Sequence, residues 1–545
     1  MRLMETDMVR TAAASARRPL ARFGRDEAGS MIVLSLFLLI LMLAVGGMGV
    51  DFVRYERTRA NLQSTADRAV LAAASLNQTL DPETVVRDYF AAAGLDDYLQ
   101  TVSVTNAYNS RTVTAVASGD MDTYFLKLLG IEALTAPAAS TASEAAMDLE
   151  IVLVLDVSGS MASDNKLVNL QIAANEFVET IIEEYEPGRV SIGIVPFNGQ
   201  VNLGAPLASL HNVVDPTGVP GVNCVDLPQA AYDAQVIPPT LAIPATAYAD
   251  TFSTSFSNYP GNYYASPSSY PPRTTNMWCP PSFTNTVLSP TTSVATLQSH
   301  ISNLTAVGAT SINAGMRWGT TLIDPAFQPR MAGLIALGQS PAALAGHPFA
   351  FDTPNARKVI VVMTDGEHFA EERVNAPFRS GPSPVYRASD GTYSVFVAAR
   401  PGPNRYYVPH ANSWQATPWG TAPVQQTWPQ LWAEMRMSYV AWQFFARPAG
   451  AMGQSMSAAY NAQMDAFRTR TSVASMNAQL QEVCAEAREE GVIVYGIAFQ
   501  APQNGRTQIA GCAGTAGRYF DANGMEIQTV FRAIANQIRA LRLTQ

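Results

Sequence analysis

A chain of 545 residues exceeds one ordinary domain, so a membrane segment plus two or more folded units is the expected organisation. With 48% hydrophobic residues it can bury a large core, which excludes wholesale disorder. A formal net charge of -9, with no basic stripe able to displace phosphate counterions, excludes a general nucleic-acid binder.

Residues 1–30 carry Arg2, Arg10, Arg17, Arg18, Arg22 and Arg25 against Glu5, Asp7, Asp26 and Glu27. Met31 to Val50 (MIVLSLFLLILMLAVGGMGV) then runs without a charge. As a helix rising about 1.5 Å per residue, it spans the roughly 30 Å hydrocarbon layer of a bilayer. The arginine excess before the span places the N-terminus in the cytoplasm and the bulk of the chain in the periplasm, although Arg54, Arg57 and Arg59 follow on the far side. The apolar run is longer than a signal-peptide core, and no small-x-small cleavage site follows it directly, so the expectation is an uncleaved, single-pass anchor in a bacterial inner membrane. The stretch Phe23 to Ser30 resembles a type IV prepilin processing region, but Leu34 stands where that class carries glutamate, which argues against cleavage there.

Residues 51–147 read as a small α+β stalk unit. Asp51 to Leu76 has no Gly or Pro and places Leu62, Ala66, Ala69, Val70 and Ala73 at helical spacing, so the membrane helix should continue outward and pack on its own domain. A second helix is expected over 82–93, and a strand or hairpin around Asn109-Ser110 within Thr101 to Val116. The Ala/Ser/Thr-rich stretch 133–146 should hold a last strand and a linker.

The pattern changes over 148–545. Glu150 to Leu155 and Lys358 to Met363 are continuous apolar runs, as in a parallel sheet covered on both faces. Arg189 to Phe197, Val492 to Phe499 and Arg518 to Phe520 read as further strands, and 166–184, 293–304, 312–323, 473–490 and 525–542 as helices. This alternation predicts an α/β fold with a doubly wound, mostly parallel sheet. Insertions at about 202–290 and 369–470 interrupt it. The second holds Trp414, Trp419, Trp428, Trp432 and Trp442, which serve either a satellite core or a partner surface.

Cys224, Cys279, Cys484 and Cys512 form no C-x-x-C pair and have no His at ligand spacing, which argues against zinc. An even count in an exported chain reads as two disulfides. Of the three possible connectivities, Cys224 with Cys279 and Cys484 with Cys512 close the shorter loops and are favoured, with reduced, buried thiols as the alternative.

Asp156-Val157-Ser158-Gly159-Ser160 follows the first buried strand and precedes a helix, the position where open α/β sheets bind ligands. One carboxylate and two hydroxyls at alternate positions are hard oxygen donors suited to Mg²⁺ or Mn²⁺. A bare D-x-S-x-S turn can also be a simple helix cap. Gly308-Ala309-Thr310 before a helix and Thr364-Asp365-Gly366 after a strand complete a pattern that resembles the metal-ion-dependent adhesion site (MIDAS) of von Willebrand factor type A (vWA) domains. The resemblance implies a Rossmann-like fold, direct coordination by Ser158 and Ser160, and coordination by Thr310 directly or through water. It implies that Asp156 and Asp365 supply charge mostly through waters, and that one coordination position is left for a partner's Asp or Glu.

The anchor followed by LQSTADRAVLAAA resembles the TadE/TadG-like N-terminal region of tight-adherence (Flp) pilus-assembly proteins. Val492 to Phe499, Gly511-Cys512-Ala513 and Ile534 to Thr544 resemble TadG-type proteins that carry a vWA domain. What this implies is a membrane-anchored binding protein that engages pilus or envelope assembly components through a Mg²⁺-type MIDAS and lipid through residues 31–50, with no nucleic-acid partner. The alternative is an envelope scaffold whose metal only stabilises the fold. No enzyme is expected: His211, His300, His347, His368 and His410 are scattered, and neither a G-x-S-x-G nor a Walker-type loop occurs.

Overall fold

The computed structural model describes residues 28–251 and 277–543. The arginine-rich segment 1–27, with most of the prepilin-like stretch, and residues 252–276 of the first insertion lie outside them. The chain forms two compact units, Met1–Ala146 and Met147–Gln545.

In the first unit a single helix, α1 (Ala28–Ala74), continues past the apolar run without a break. The segment from Met31 onward is long and apolar enough to cross a membrane. Beyond it, Leu62, Ala66, Ala69, Val70 and Ala73 are buried on one stripe of the same helix. That stripe packs with α2 (Pro82–Ala92), whose first turn is capped by the Asp81 carboxylate, against an antiparallel sheet. The sheet comprises β1 (Leu99–Ala107), β2 (Ser110–Asp122) and β3 (Ala133–Ala145) in the order 1-2-3. The β1–β2 hairpin turns at Asn109, whose φ of 52° suits asparagine. β3 pairs with β2 along its whole length, so the 133–146 stretch is almost all strand rather than partly linker.

The second unit centres on a six-stranded sheet. Its strands are β4 (Asp148–Asp156), β5 (Val190–Phe197), β6 (Leu288–Thr291), β7 (Ala356–Thr364), β8 (Ile493–Phe499) and β9 (Tyr519–Ala522), in the spatial order 9-8-7-4-5-6. The sheet is mixed. Strands 9, 8, 7, 4 and 5 are parallel, whereas β6 joins the edge of β5 antiparallel. The expectation that 202–290 is all insertion therefore changes at its end, because Leu288–Thr291 belongs to the main sheet. Four residues with a proline are too short to show a strand period.

Helices cover both faces, which is why β4, β5 and β8 are buried at every position. α3 (Lys166–Glu183), α4 (Val294–Ser302) and α8 (Glu526–Leu543) bury Leu170, Phe177, Leu297 and Phe531 on one face. On the other, α5 (Ile312–Ile323), α6 (Val473–Glu489) and α7 (Gln503–Ala513) bury Met316, Trp318, Leu480 and Ile509. The Cys484–Cys512 disulfide joins α6 to α7, and Cys224–Cys279 closes most of the first insertion.

The second insertion is a subdomain with its own core. Glu371–Val374 pairs antiparallel with Arg468–Thr471 at its base. A five-stranded antiparallel sheet follows within 382–427, then helical turns from Trp428 to Phe467. Trp428 and Trp432 stack at 5.3 Å, and the Phe467 ring meets both edge-on. Trp428, Trp432 and Trp442 are buried, so the tryptophans chiefly build a satellite core.

Candidate metal centre

Asp156 ends β4 and Thr364 ends β7, the neighbouring parallel strand in register with it. The strands therefore deliver both residues to the carboxyl edge of the sheet, with the Ser158–Ser160 turn and the Asp365–Gly366 turn just beyond. Asp156 is fully buried. Its Oδ1 accepts the Ser158 amide at 2.7 Å, and its Oδ2 accepts the Thr364 hydroxyl at 2.5 Å. The Ser158 and Ser160 hydroxyls are 3.1 Å apart, and Ser160 Oγ donates to Asp365 Oδ1 at 2.7 Å. Asp365 is 3% exposed, while Ser160 is open to solvent, so the cluster runs from a buried floor to an accessible mouth.

Thr310 comes from the loop before α5. The Gly159 amide donates to the Gly308 carbonyl at 3.0 Å, and the Phe369 amide donates to the Thr310 carbonyl at 2.9 Å, so this loop is tied to both turns. A Cβ built on Gly366 would lie 3.4 Å from Thr310 Oγ1. All five residues singled out from sequence, Asp156, Ser158, Ser160, Thr310 and Asp365, thus come together at one end of the sheet.

The electrostatics of the cluster favour a cation. Burial pushes the Asp156 carboxyl up to about 7, and the neighbouring charge of Asp365 pushes it the same way. Two buried carboxylates close enough to interact repel, and a divalent ion held by the cluster would relieve that repulsion. Two carboxylates and three hydroxyls make a hard-oxygen donor set that fits Mg²⁺ or Mn²⁺. Among the described residues no group of three or more His, Cys, Asp or Glu side chains could hold a metal, so any ion here depends on the hydroxyls.

Several contributors were not assigned from sequence. Lys166, the first residue of α3, places Nζ 2.8 Å from Asp365 Oδ2 and supplies a resident positive charge. Thr364 was visible only as part of its turn, yet it clamps Asp156 and also accepts the Gly366 amide at 3.1 Å. His368 is 3% exposed. Its Nε2 accepts the Asn313 amide at 3.0 Å in the first turn of α5, which leaves Nδ1–H to donate to Asn477 Oδ1 at 2.7 Å. Burial pushes this imidazole down to about 4, so it is neutral and committed to tying the Asp365 turn to the Thr310 helix.

The insertions are wired to the same edge. The Asn198 carbonyl, after β5, accepts the Ser311 amide at 2.7 Å. Two residues on, Gln200 Nε2 donates to Glu371 Oε1 at 2.7 Å and to Asp226 Oδ1 at 3.3 Å, one carboxylate from each insertion. Arg379 and Arg373 pair with Asp226 and Glu371, which compensates two buried charges.

The family model described as putative Flp pilus-assembly TadE/G-like matches residues 29–76. No curated protein matches the sequence. Among solved structures, the pilus adhesin SpaC from Lactobacillus rhamnosus GG is 12% identical, with 81% of this chain and 34% of that chain covered at a TM-score of 0.28. This chain therefore spans about a third of the length of SpaC. The vWF domain of the type V pili tip protein Mfa5 from Porphyromonas gingivalis is 10% identical, with 72% of this chain and 96% of that chain covered at 0.29. Proximal thread matrix protein 1 from the mussel byssus, with a zinc-occupied MIDAS motif, is 9% identical, with 72% and 46% covered at 0.26. Residues 29–76, which take in nearly all of α1, are thus the part of the chain that matches the TadE/G-like model of putative Flp pilus assembly.

Proposed function

We propose that this protein is a membrane-anchored, extracytoplasmic binding protein of pilus assembly or surface adhesion, which engages an acidic residue of a protein partner through a divalent cation, Mg²⁺ or Mn²⁺. The observation that carries this reading is the convergence of Asp156, Ser158, Ser160, Thr310 and Asp365 at one end of the sheet, with Ser160 open to solvent. Asp156 and Asp365 would supply charge, and the three hydroxyls would complete the donor set. Few net negative charges then leave the bound ion electrophilic enough to hold a partner carboxylate. The TadE/G-like segment supports the pilus context, and the apolar run of α1 supports bilayer anchorage with the second unit on the periplasmic side.

A second reading is supported by the Lys166–Asp365 ion pair and the separate aromatic core of the second insertion. There the protein is an envelope scaffold, and a metal only stabilises the fold. One experiment separates the two. Full-length protein and an Asp156→Ala variant are reconstituted in nanodiscs and used to capture envelope proteins with Mg²⁺ or with a chelator. The binding reading expects capture to need both Mg²⁺ and Asp156 while the variant stays folded. Equal capture in chelator sinks it and leaves the scaffold.

A further inference from the structure

We propose that the β2–β3 connection, Thr123 to Glu132, is a second membrane contact: an interfacial loop that inserts apolar side chains into the same bilayer that α1 crosses. The inference rests on the reading of α1 as a membrane anchor. Asp51, the first charged residue after the apolar run, is fully buried because its carboxylate accepts three amides from this loop, those of Tyr124, Phe125 and Leu126, at 3.0, 2.7 and 2.9 Å. That clamp fixes the loop at the level where the helix leaves the hydrocarbon.

The loop also reaches deeper. A Cβ on Gly47 would sit 2.2 Å from the Phe125 ring, so only glycine lets that ring lie on the helix there. Gly47 lies four residues, about 6 Å, inside Asp51 and within the uncharged run. In the short turn that follows (Leu126–Leu129), Leu128 and Leu129 are 77% and 62% exposed, with Ile131 exposed beyond them. Water is a poor environment for three large aliphatic side chains on one ten-residue loop, and at this depth the neighbouring solvent is lipid. Tyr124 marks the boundary. The Arg54 guanidinium lies 3.9 Å from its ring centroid, an aromatic–cation pair of the kind that suits the headgroup layer. The sheet supports the same orientation. β2 runs antiparallel to the outer part of α1, so Arg111 hydrogen-bonds the Ala73 and Ser75 carbonyls at the opposite end from the loop.

The test uses full-length protein in lipid nanodiscs. All four native cysteines are in disulfides, so an introduced cysteine is a unique thiol for a spin label. Labels are placed by Leu128→Cys in the loop, Val45→Cys in the apolar run and Thr105→Cys on the exposed face of β1. Collision with oxygen, which partitions into lipid, is compared with collision with a water-soluble nickel complex. The expected result is a severalfold loss of nickel access at 128 relative to 105, with oxygen access retained, as at 45. A label at 128 that meets nickel as freely as one at 105, while 45 reads lipid, overturns the proposal and leaves the anchor intact. A label at 128 shielded from both reagents means a second protein surface covers the loop, and also overturns it. If the label at 45 itself reads aqueous, the anchor reading fails and takes the proposal with it.

Discussion

Lys166 Nζ lies 2.8 Å from Asp365 Oδ2, so the candidate metal centre already holds one cation of its own. Removing it should have opposite effects on the two states of the site. In the metal-free protein, Lys166→Met leaves Asp365 buried beside Asp156 without a counter-charge, a loss of about 3 kcal/mol. A divalent ion then meets no competing charge, and a unit charge a few ångströms away is worth more than roughly tenfold in affinity. Calorimetric Mg²⁺ titration and thermal melts with and without Mg²⁺ check this. An unchanged affinity would show that Lys166 and the ion do not share a site.

Gly505, in the first turn of α7, touches the site without belonging to it. A Cβ there would lie 2.1 Å from the Gly366 carbonyl oxygen and 3.0 Å from its carbon. Both are backbone atoms, so the Asp365–Gly366 turn must move to admit an alanine. Gly505→Ala is expected to weaken Mg²⁺ binding by roughly 10–100-fold with every ligand still present. The same titration reads the result, and wild-type affinity would mean the turn is not part of the site.

His368 supplies a pH dependence of known sign. In the unfolded chain it takes up a proton near 6.5, but in the folded protein burial holds it back to about 4. The stability it contributes is therefore complete above about pH 6.5 and is lost as pH falls toward 4. Relative to a His368→Gln variant, the wild type should lose roughly 3 kcal/mol over that range. Denaturant titrations of both proteins at pH 7 and pH 4.5 measure the difference; a constant difference would contradict the neutral imidazole.

The Cys484–Cys512 bridge closes a loop of 28 residues between two helices that line one face of the sheet. Replacing both with alanine should cost about 3–4 kcal/mol, mostly through the larger freedom of the unfolded chain. The denaturation midpoint of the double variant checks this, and it should equal neither the wild type nor a globally unfolded protein.

The centre of the main sheet was legible because β4, β5, β7 and β8 are long and covered on both faces. Glu150 to Leu155 and Lys358 to Met363 have little composition but apolar, and the chemistry sits immediately after each. Thr310 follows no strand and was located only through the resemblance to a MIDAS, whose pattern includes a threonine from a later loop. What escaped was set by distance in sequence. Lys166 meets Asp365 across 199 positions, and His368 meets Asn477 across 109, so no local pattern announces either contact. Within 369–470 the strands are three to six residues long, too short for a period of two to stand out. The tryptophan density left two readings open, a partner surface or a satellite core in which the rings bury one another, and the ring contacts decide for the core. The Leu128–Leu129 turn was passed over because a two-residue apolar cluster means little until its level on α1 is known.

The Cys224–Cys279 bridge has a consequence for proteolysis wherever it stays oxidised. Its two half-cystines stand 55 positions apart and enclose most of the first insertion in a covalent ring. A protease that cuts once anywhere within 225–278 leaves both new ends on one molecule. The insertion can be nicked without being severed, and no fragment is shed until the bridge is reduced.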